Sequence, residues 1–140
     1  MKISARNVLA GTIQSIIRGV VNAEVTLMLQ GGETVTAIIT NGSVDSLELK
    51  EGKPAYAVIK ASEVMIGKSM DGLRLSARNR LAGKVTKLQA GIVSCEMVIE
   101  LPSGMAVVAS ITKAGATELG LKEGDTVSAV VKASSVLIGV

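Results

Sequence analysis

The sequence predicts an all-β protein: two tandem OB-like five-stranded β-barrel domains, each with one short helix. Three observations predict it. The chain repeats itself at an offset of 72 residues without a gap, apolar positions recur with a period of two, and both repeats carry the same order of strand, turn and helix signals. ISARNVLAG at 3–11 returns as LSARNRLAG at 75–83, LELKEG at 47–52 as LGLKEG at 119–124, and VIKASEVMIG at 58–67 as VVKASSVLIG at 130–139. About 29 of 66 aligned positions are identical. The expected units are residues 1–68 and 73–140, joined by a linker at 69–72 that contains Asp71-Gly72, a turn dipeptide.

Within the first repeat, residues 3–18 read as one long strand. Residues 20–29 alternate at Val21, Ala23, Val25, Leu27 and Leu29, the pattern of a half-buried strand. Gln30-Gly31-Gly32-Glu33 reads as a hairpin turn, because glycine tolerates positive φ. A third strand covers 34–40, and Thr40, Asn41 and Ser43 offer caps for a short helix with Val44 and Leu47 on one side. Lys50-Glu51-Gly52-Lys53 turns into a fourth strand at 54–61, where Pro54 sits at the tolerated first position. A last short strand spans 63–67. Strand–strand–strand–helix–strand–strand is the order of a small OB-like barrel. A unit of this size is marginal alone, so association of repeats and of chains is expected.

Composition narrows the chemistry. The chain has no His, Phe or Trp, one Tyr (Tyr56) and one Cys (Cys95). That removes an intrachain disulfide, a cysteine- or histidine-based metal site and a Ser–His–Asp triad. Single-stranded nucleic acid wants stacking platforms, which one tyrosine cannot supply. The 15 Lys and Arg against 12 Asp and Glu are spread evenly, without the basic stripe that duplex binding requires. The amino-terminal MKISARNVLAG does not read as a signal peptide, and no apolar run approaches the ~20 residues of a membrane span, so a cytoplasmic setting is expected. Without histidine or an isolated carboxylate pair to move protons near neutral pH, no catalysis and no catalytic cofactor are expected.

The polar residues retained in both repeats inside apolar strands are Ser4, Arg6 and Asn7, Glu24, Thr40, Lys60 and Ser62, with Ser76, Arg78, Asn79, Glu96, Thr112, Lys132 and Ser134 as counterparts. Apart from the glutamates, they are hydrogen-bond donors rather than acceptors. Ser4 and Arg6 share a strand face, as do Lys60 and Ser62. Thr40 and Ser43 stand where a helix begins. Such a set suits a small tetrahedral dianion held by charge-assisted bonds. Each residue also has an ordinary role. Lys60 fits a solvated strand end, Ser62 and Ser134 fit caps, and Thr40 fits a helix N-cap. Arg6 could pair with Glu24 across the sheet or contact ligand. Glu24 is read as structural, Asn7 as a brace, Met28 and Met65 as filler, and Cys95 as a small buried apolar residue.

Ser4-Ala5-Arg6-Asn7, Gly19-Val20-Val21-Asn22-Ala23-Glu24-Val25 and Val58-Ile59-Lys60-Ala61-Ser62, in that order, resemble the Mop domain, also called the molybdate-type TOBE domain. The tandem pair is similar to a di-domain molbindin over all 140 residues. The resemblance implies storage of molybdate or tungstate in a homotrimer, with oxyanions bound between domains in two kinds of site. The first kind would use Ser4, Arg6, Lys60, Ala61 and Ser62 of one domain, with Thr40 and Ser43 from a neighbour. Its second-repeat counterpart would use Ser76, Arg78, Lys132, Ala133 and Ser134, with Thr112. The second kind would use backbone N–H groups around Val21 and Asn22, and around Val93 and Ser94. Gly115 replaces Ser43, Ser94 replaces Asn22 and Cys95 replaces Ala23, so sites using the second repeat are expected to be weaker or differently selective. A regulatory module acting through a protein partner is the alternative, and an OB-type nucleic-acid-binding protein a more distant one.

Overall fold

A computed structural model describes residues 2–140. The first repeat runs β1 (Asn7–Arg18), β2 (Asn22–Leu29), β3 (Thr34–Thr40), α1 (Asn41–Ser46), β4 (Pro54–Ile59), a 3-10 turn (Ala61–Glu63) and β5 (Met65–Gly67). The second runs β6 (Asn79–Ala90), β7 (Ser94–Glu100), β8 (Ala106–Thr112), α2 (Lys113–Glu118), β9 (Thr126–Val131), a 3-10 turn (Ala133–Ser135) and β10 (Leu137–Gly139). The expected order of elements is therefore present twice.

Four boundaries differ from the sequence reading, each for a local reason. One is the start of β5, at Met65 rather than residue 63, because the 3-10 turn occupies Ala61–Glu63. The first strand begins at Asn7 rather than residue 3, because Asn7↔Ile59 is the last rung it shares with β4. β4 stops at Ile59 because the chain there coils into the 3-10 turn, closed by Glu63 N donating to Lys60 O at 2.9 Å. The second strand begins at Asn22, since residues 19–22 form a tight turn with Gly19 N donating to Asn22 O at 2.7 Å. Val21 is thus an exposed turn residue and not part of the buried alternation.

The strands form two five-stranded antiparallel sheets, in the orders β10-β4-β1-β2-β3 and β5-β9-β6-β7-β8. Each sheet takes four strands from one repeat and its fifth from the other. β10 pairs with β4 through Leu137↔Val58 and Gly139↔Tyr56, and β5 pairs with β9 through Met65↔Val130 and Gly67↔Ser128. Sequence periodicity could not show this exchange, because a three-residue strand reads alike whichever partner it meets.

The long first strand serves two neighbours. β1 meets β4 along Asn7–Thr12 and β2 along Gly11–Arg18, with a bulge between Ile13 and Ser15 that bends it from one to the other. The overlap requires Gly11: a Cβ there would sit 2.5 Å from Met28 O, and its counterpart Gly83 faces Glu100 O at 2.7 Å. The core is built from small and branched side chains. Val25, Leu27, Ala37 and Ala57 fill one side, and Val85, Met97, Ile99 and Ala109 the other. Cys95 lies buried among them as a free thiol.

Two asparagines join the repeats. Asn7, only 1% exposed, donates through Nδ2 to Val108 O at 2.8 Å and accepts from Val108 N at 2.7 Å. Asn79 makes the same pair of bonds with Thr36 N and O, both at 2.8 Å. Thr36 and Val108 are equivalent positions on β3 and β8, so each amide continues the other repeat's sheet by one rung. The linker is fastened to the second repeat. Arg80 donates to Leu73 O (2.7 Å) and Met70 O (2.9 Å), and Lys68 Nζ donates to Gly120 O (3.1 Å) and Asp125 Oδ2 (3.0 Å).

Candidate functional site

Several of the donors retained in both repeats collect where the two repeats meet. Residues just before β1 and β6 run past the end of their own sheet. There they lie beside the 3-10 turns that follow β4 and β9. Those turns in turn sit against β8 and β3 of the opposite repeat. Two cavities result, related by the repeat. The first, about 480 Å³, is lined by Ser4, Ala5, Lys60 and Glu63, with Ser134, Ser135 and Leu137 from the second repeat. The second, about 490 Å³, is lined by Ser76, Ala77, Arg78, Lys132, Ala133 and Ser134. Its apolar walls come from Ile38, Met65, Met70, Leu73 and Leu75.

Seven of the seventeen sequence-predicted residues line these two cavities. Ser4 and Lys60 share the first cavity, and Ser76, Arg78, Lys132, Ala133 and Ser134 share the second. Ser134 walls both. Ala61 is buried under the first turn, and Ser62 is exposed outside the cavity linings.

The two arginines are committed elsewhere through their side chains. Arg6 bonds Glu96 at 2.9 Å, and Arg78 bonds Glu24 at 2.6 Å. The pairing of Arg6 with Glu24 entertained from the sequence is thus replaced by a pairing across repeats. The Ser-Ala-Arg segment lies outside its own sheet, just before the strand that Asn7 or Asn79 begins, and its arginine faces the other repeat. Glu24, by hydrogen bonding first and by its charge second, raises the Arg78 guanidinium further above its ordinary pKa. Both glutamates are structural in this arrangement, as their sign suggested.

Thr40 and Ser43 stand apart from the cavities. Thr40 caps α1, accepting from Ser43 N at 3.0 Å, and its hydroxyl meets Ser43 Oγ at 2.8 Å. It lies two residues beyond Ile38, which walls the second cavity, but does not line it. Thr112 caps α2 through Gly115 N in the same way, with no second hydroxyl.

The other predicted segment is adjacent to these caps. Asn22 pairs with Thr40 and Ser94 with Thr112, and Asn41 N donates to Val21 O at 2.9 Å as Lys113 N does to Val93 O. These turns present bare apolar tips: Val20 is 100% and Ile92 93% exposed, and Val21 and Val93 are largely exposed too.

Among the lining residues not anticipated from the sequence are Glu63, Ser135 and Met70. Glu63 and Ser135 occupy the same position of the repeat, where the motif reads KASE once and KASS once, and that difference was the available signal. Met70 belongs to the linker, whose side-chain placement no repeat comparison could supply. Among the described residues, no group of His, Cys, Asp and Glu is arranged to hold a metal ion, and no helix is long and apolar enough to cross a membrane.

Comparison with known proteins agrees with this architecture. The family profile described as TOBE domain matches residues 3–66 and 75–138. The molybdenum transport protein ModE of Herbaspirillum seropedicae is 39% identical over 140 residues, covering 100% of this chain and 52% of that protein. The molybdenum-pterin-binding protein MopA of Rhodobacter capsulatus is 40% identical over 138 residues, covering 99% and 52%. The chain thus spans about half the length of these curated relatives. Molybdenum-pterin-binding protein 3 of Clostridium pasteurianum matches one repeat, at 48% identity over 66 residues and 97% of its own length. A crystal structure of the cytoplasmic molybdate-binding protein ModG with molybdate bound superposes with a TM-score of 0.97 at 46% identity, covering 100% of this chain and 99% of that one. With the family profile matching both repeats and relatives agreeing across them, the chain belongs to the TOBE domain family.

Proposed function

We propose that the chain binds and stores molybdate, or the isosteric tungstate, in the cytoplasm, without catalysis and without a cofactor. The observation that carries this reading is the second cavity. Ser76, Lys132 and Ser134 converge there with Arg78, and no carboxylate lines it. Hydroxyl and ammonium donors around an apolar-walled space are what an aprotic tetrahedral dianion needs, because every one of its oxygens accepts. Likeness to a molybdate-bound protein over nearly all of both chains supports the ligand's identity.

The donor set also supports assembly, and we propose a homotrimer. Thr40 and Ser43 lie outside both cavities, so joining them to Lys60 or Lys132 needs another subunit. The exposed tips Val20, Val21, Ile92 and Val93 supply apolar surface for that contact. The same turns carry the second candidate segment, at Val21, Asn22, Val93 and Ser94. A sensing role through a protein partner is the second reading, favoured by the match to about half of each ModE relative.

Calorimetric titration with molybdate, tungstate, sulfate and phosphate, read with native mass, tests the proposal. Saturable binding of the group-6 oxyanions by an oligomer is expected, with Lys132→Met losing it by about tenfold or more at the affected sites. A monomer giving no heat with millimolar molybdate would overturn it.

A further inference from the structure

We propose that Glu63 is a specificity-determining residue that makes the two cavities unequal, lowering the affinity of the first for fully deprotonated oxyanions. The inference rests on the oxyanion-binding reading and sharpens it. The cavities share a plan, Ser4 answering Ser76, Lys60 answering Lys132 and Leu137 answering Met65, but their charge differs. The first has one lining cation, Lys60, opposed by the Glu63 carboxylate. The second has Lys132 and Arg78 and no lining carboxylate, although Arg78 is shared with Glu24 outside it. Near a protein surface, one charge of the wrong sign is enough to change ionic affinity by an order of magnitude or more.

Glu63 acts on hydrogen bonding as well. Ser135 Oγ donates to Glu63 Oε2 at 3.2 Å, so a hydroxyl that could serve a bound anion is spent on the carboxylate. Two acceptors cannot bond without a proton between them, so the Glu63 carboxylate offers nothing to molybdate, tungstate or sulfate at neutral pH. It can accept only from an oxyanion that retains a proton, as hydrogen phosphate does. The effect runs opposite to a weakening of second-repeat sites, one of the two outcomes (weaker or differently selective) expected from Gly115 and Ser94.

The test uses the full chain. Lys132→Met removes the stronger class of site and leaves the first cavity to be read by molybdate calorimetry. In that background, Glu63→Ser, which copies the second repeat, should tighten molybdate by about tenfold. Glu63→Gln, which removes the charge and keeps the length, should recover most of that gain. Phosphate, which retains a proton, should gain less than molybdate. Glu63 is exposed, so an unchanged unfolding midpoint is the expected control. Unchanged or weakened molybdate binding in both Glu63 variants would overturn the assignment while leaving storage intact. Failure of the unmodified chain to bind molybdate would overturn storage and, with it, this inference.

Discussion

At the level of single residues, the amides of Asn7 and Asn79 do the most specific work. Each replaces a rung of backbone pairing with a side chain, and each satisfies both the N–H and the C=O of its partner residue. Removing such an amide leaves two backbone groups without partners where water has poor access. Asn79→Ala should therefore destabilise the protein by about 2–4 kcal/mol, with Asn7→Ala similar, measured by urea unfolding. Asn7 was legible as a brace from its retention in both repeats, but what it braces was not. The reach of Asn7 to Val108, 101 residues away, depends on the packing of one repeat on the other. The arginines teach the same lesson. A guanidinium and a carboxylate retained together in each repeat point to an ion pair, and only the three-dimensional arrangement shows that the pair crosses between repeats.

At the level of elements, the linker is an active part of the fold. Asp125, whose side chain is only 13% exposed, receives Lys68 Nζ and Lys122 N, both at 3.0 Å. The bond from Lys68, the backbone bond and the nearby positive charges hold its carboxyl below the usual range. The folded state therefore takes up this proton less readily than the unfolded chain, in which an aspartate titrates near pH ~3.9. The stabilisation is complete above that pH and is lost as pH falls through the lowered value. Asp125→Asn should lower the thermal midpoint at pH 7, and the difference from the unmodified chain should shrink as the pH falls below ~4. The second repeat alone can hold the linker this way, since Lys53 and Val8 stand where Asp125 and Arg80 do. Strands, hairpins and capped helices were legible because each is specified locally, by alternation, glycine or a Thr–Ser cap. Their ends were misplaced by a few residues wherever the limit was set by a partner strand running out, as at Asn7 and Ile59.

At the level of the whole molecule, exchange of β5 and β10 binds the repeats more firmly than the linker does. Cleavage at Asp71-Gly72 should leave the two pieces associated, because each still holds a strand of the other's sheet. Size-exclusion chromatography after cleavage checks this, with co-elution as the expected outcome and separation under native conditions as the contrary one. Residues 1–72 expressed alone should lack a fifth strand beside β4, and should recover one by pairing with a second copy. The duplicated pattern made the two-fold plan visible from sequence. It could not reveal whether each last strand returned to its own repeat, because β5 and β10 carry nearly the same residues and fit either place.

The partnership of β4 with β10 also bears on how the protein is made. Residues 54–59 leave the ribosome long before residues 137–139, yet the edge of the first sheet waits for them. The β4 edge of the first sheet therefore stays open until β10 is made, exposed meanwhile to neighbouring nascent chains. Completion of the first sheet is thus deferred until β10 has been made, whereas the second sheet already has its borrowed strand, β5, before its own strands emerge.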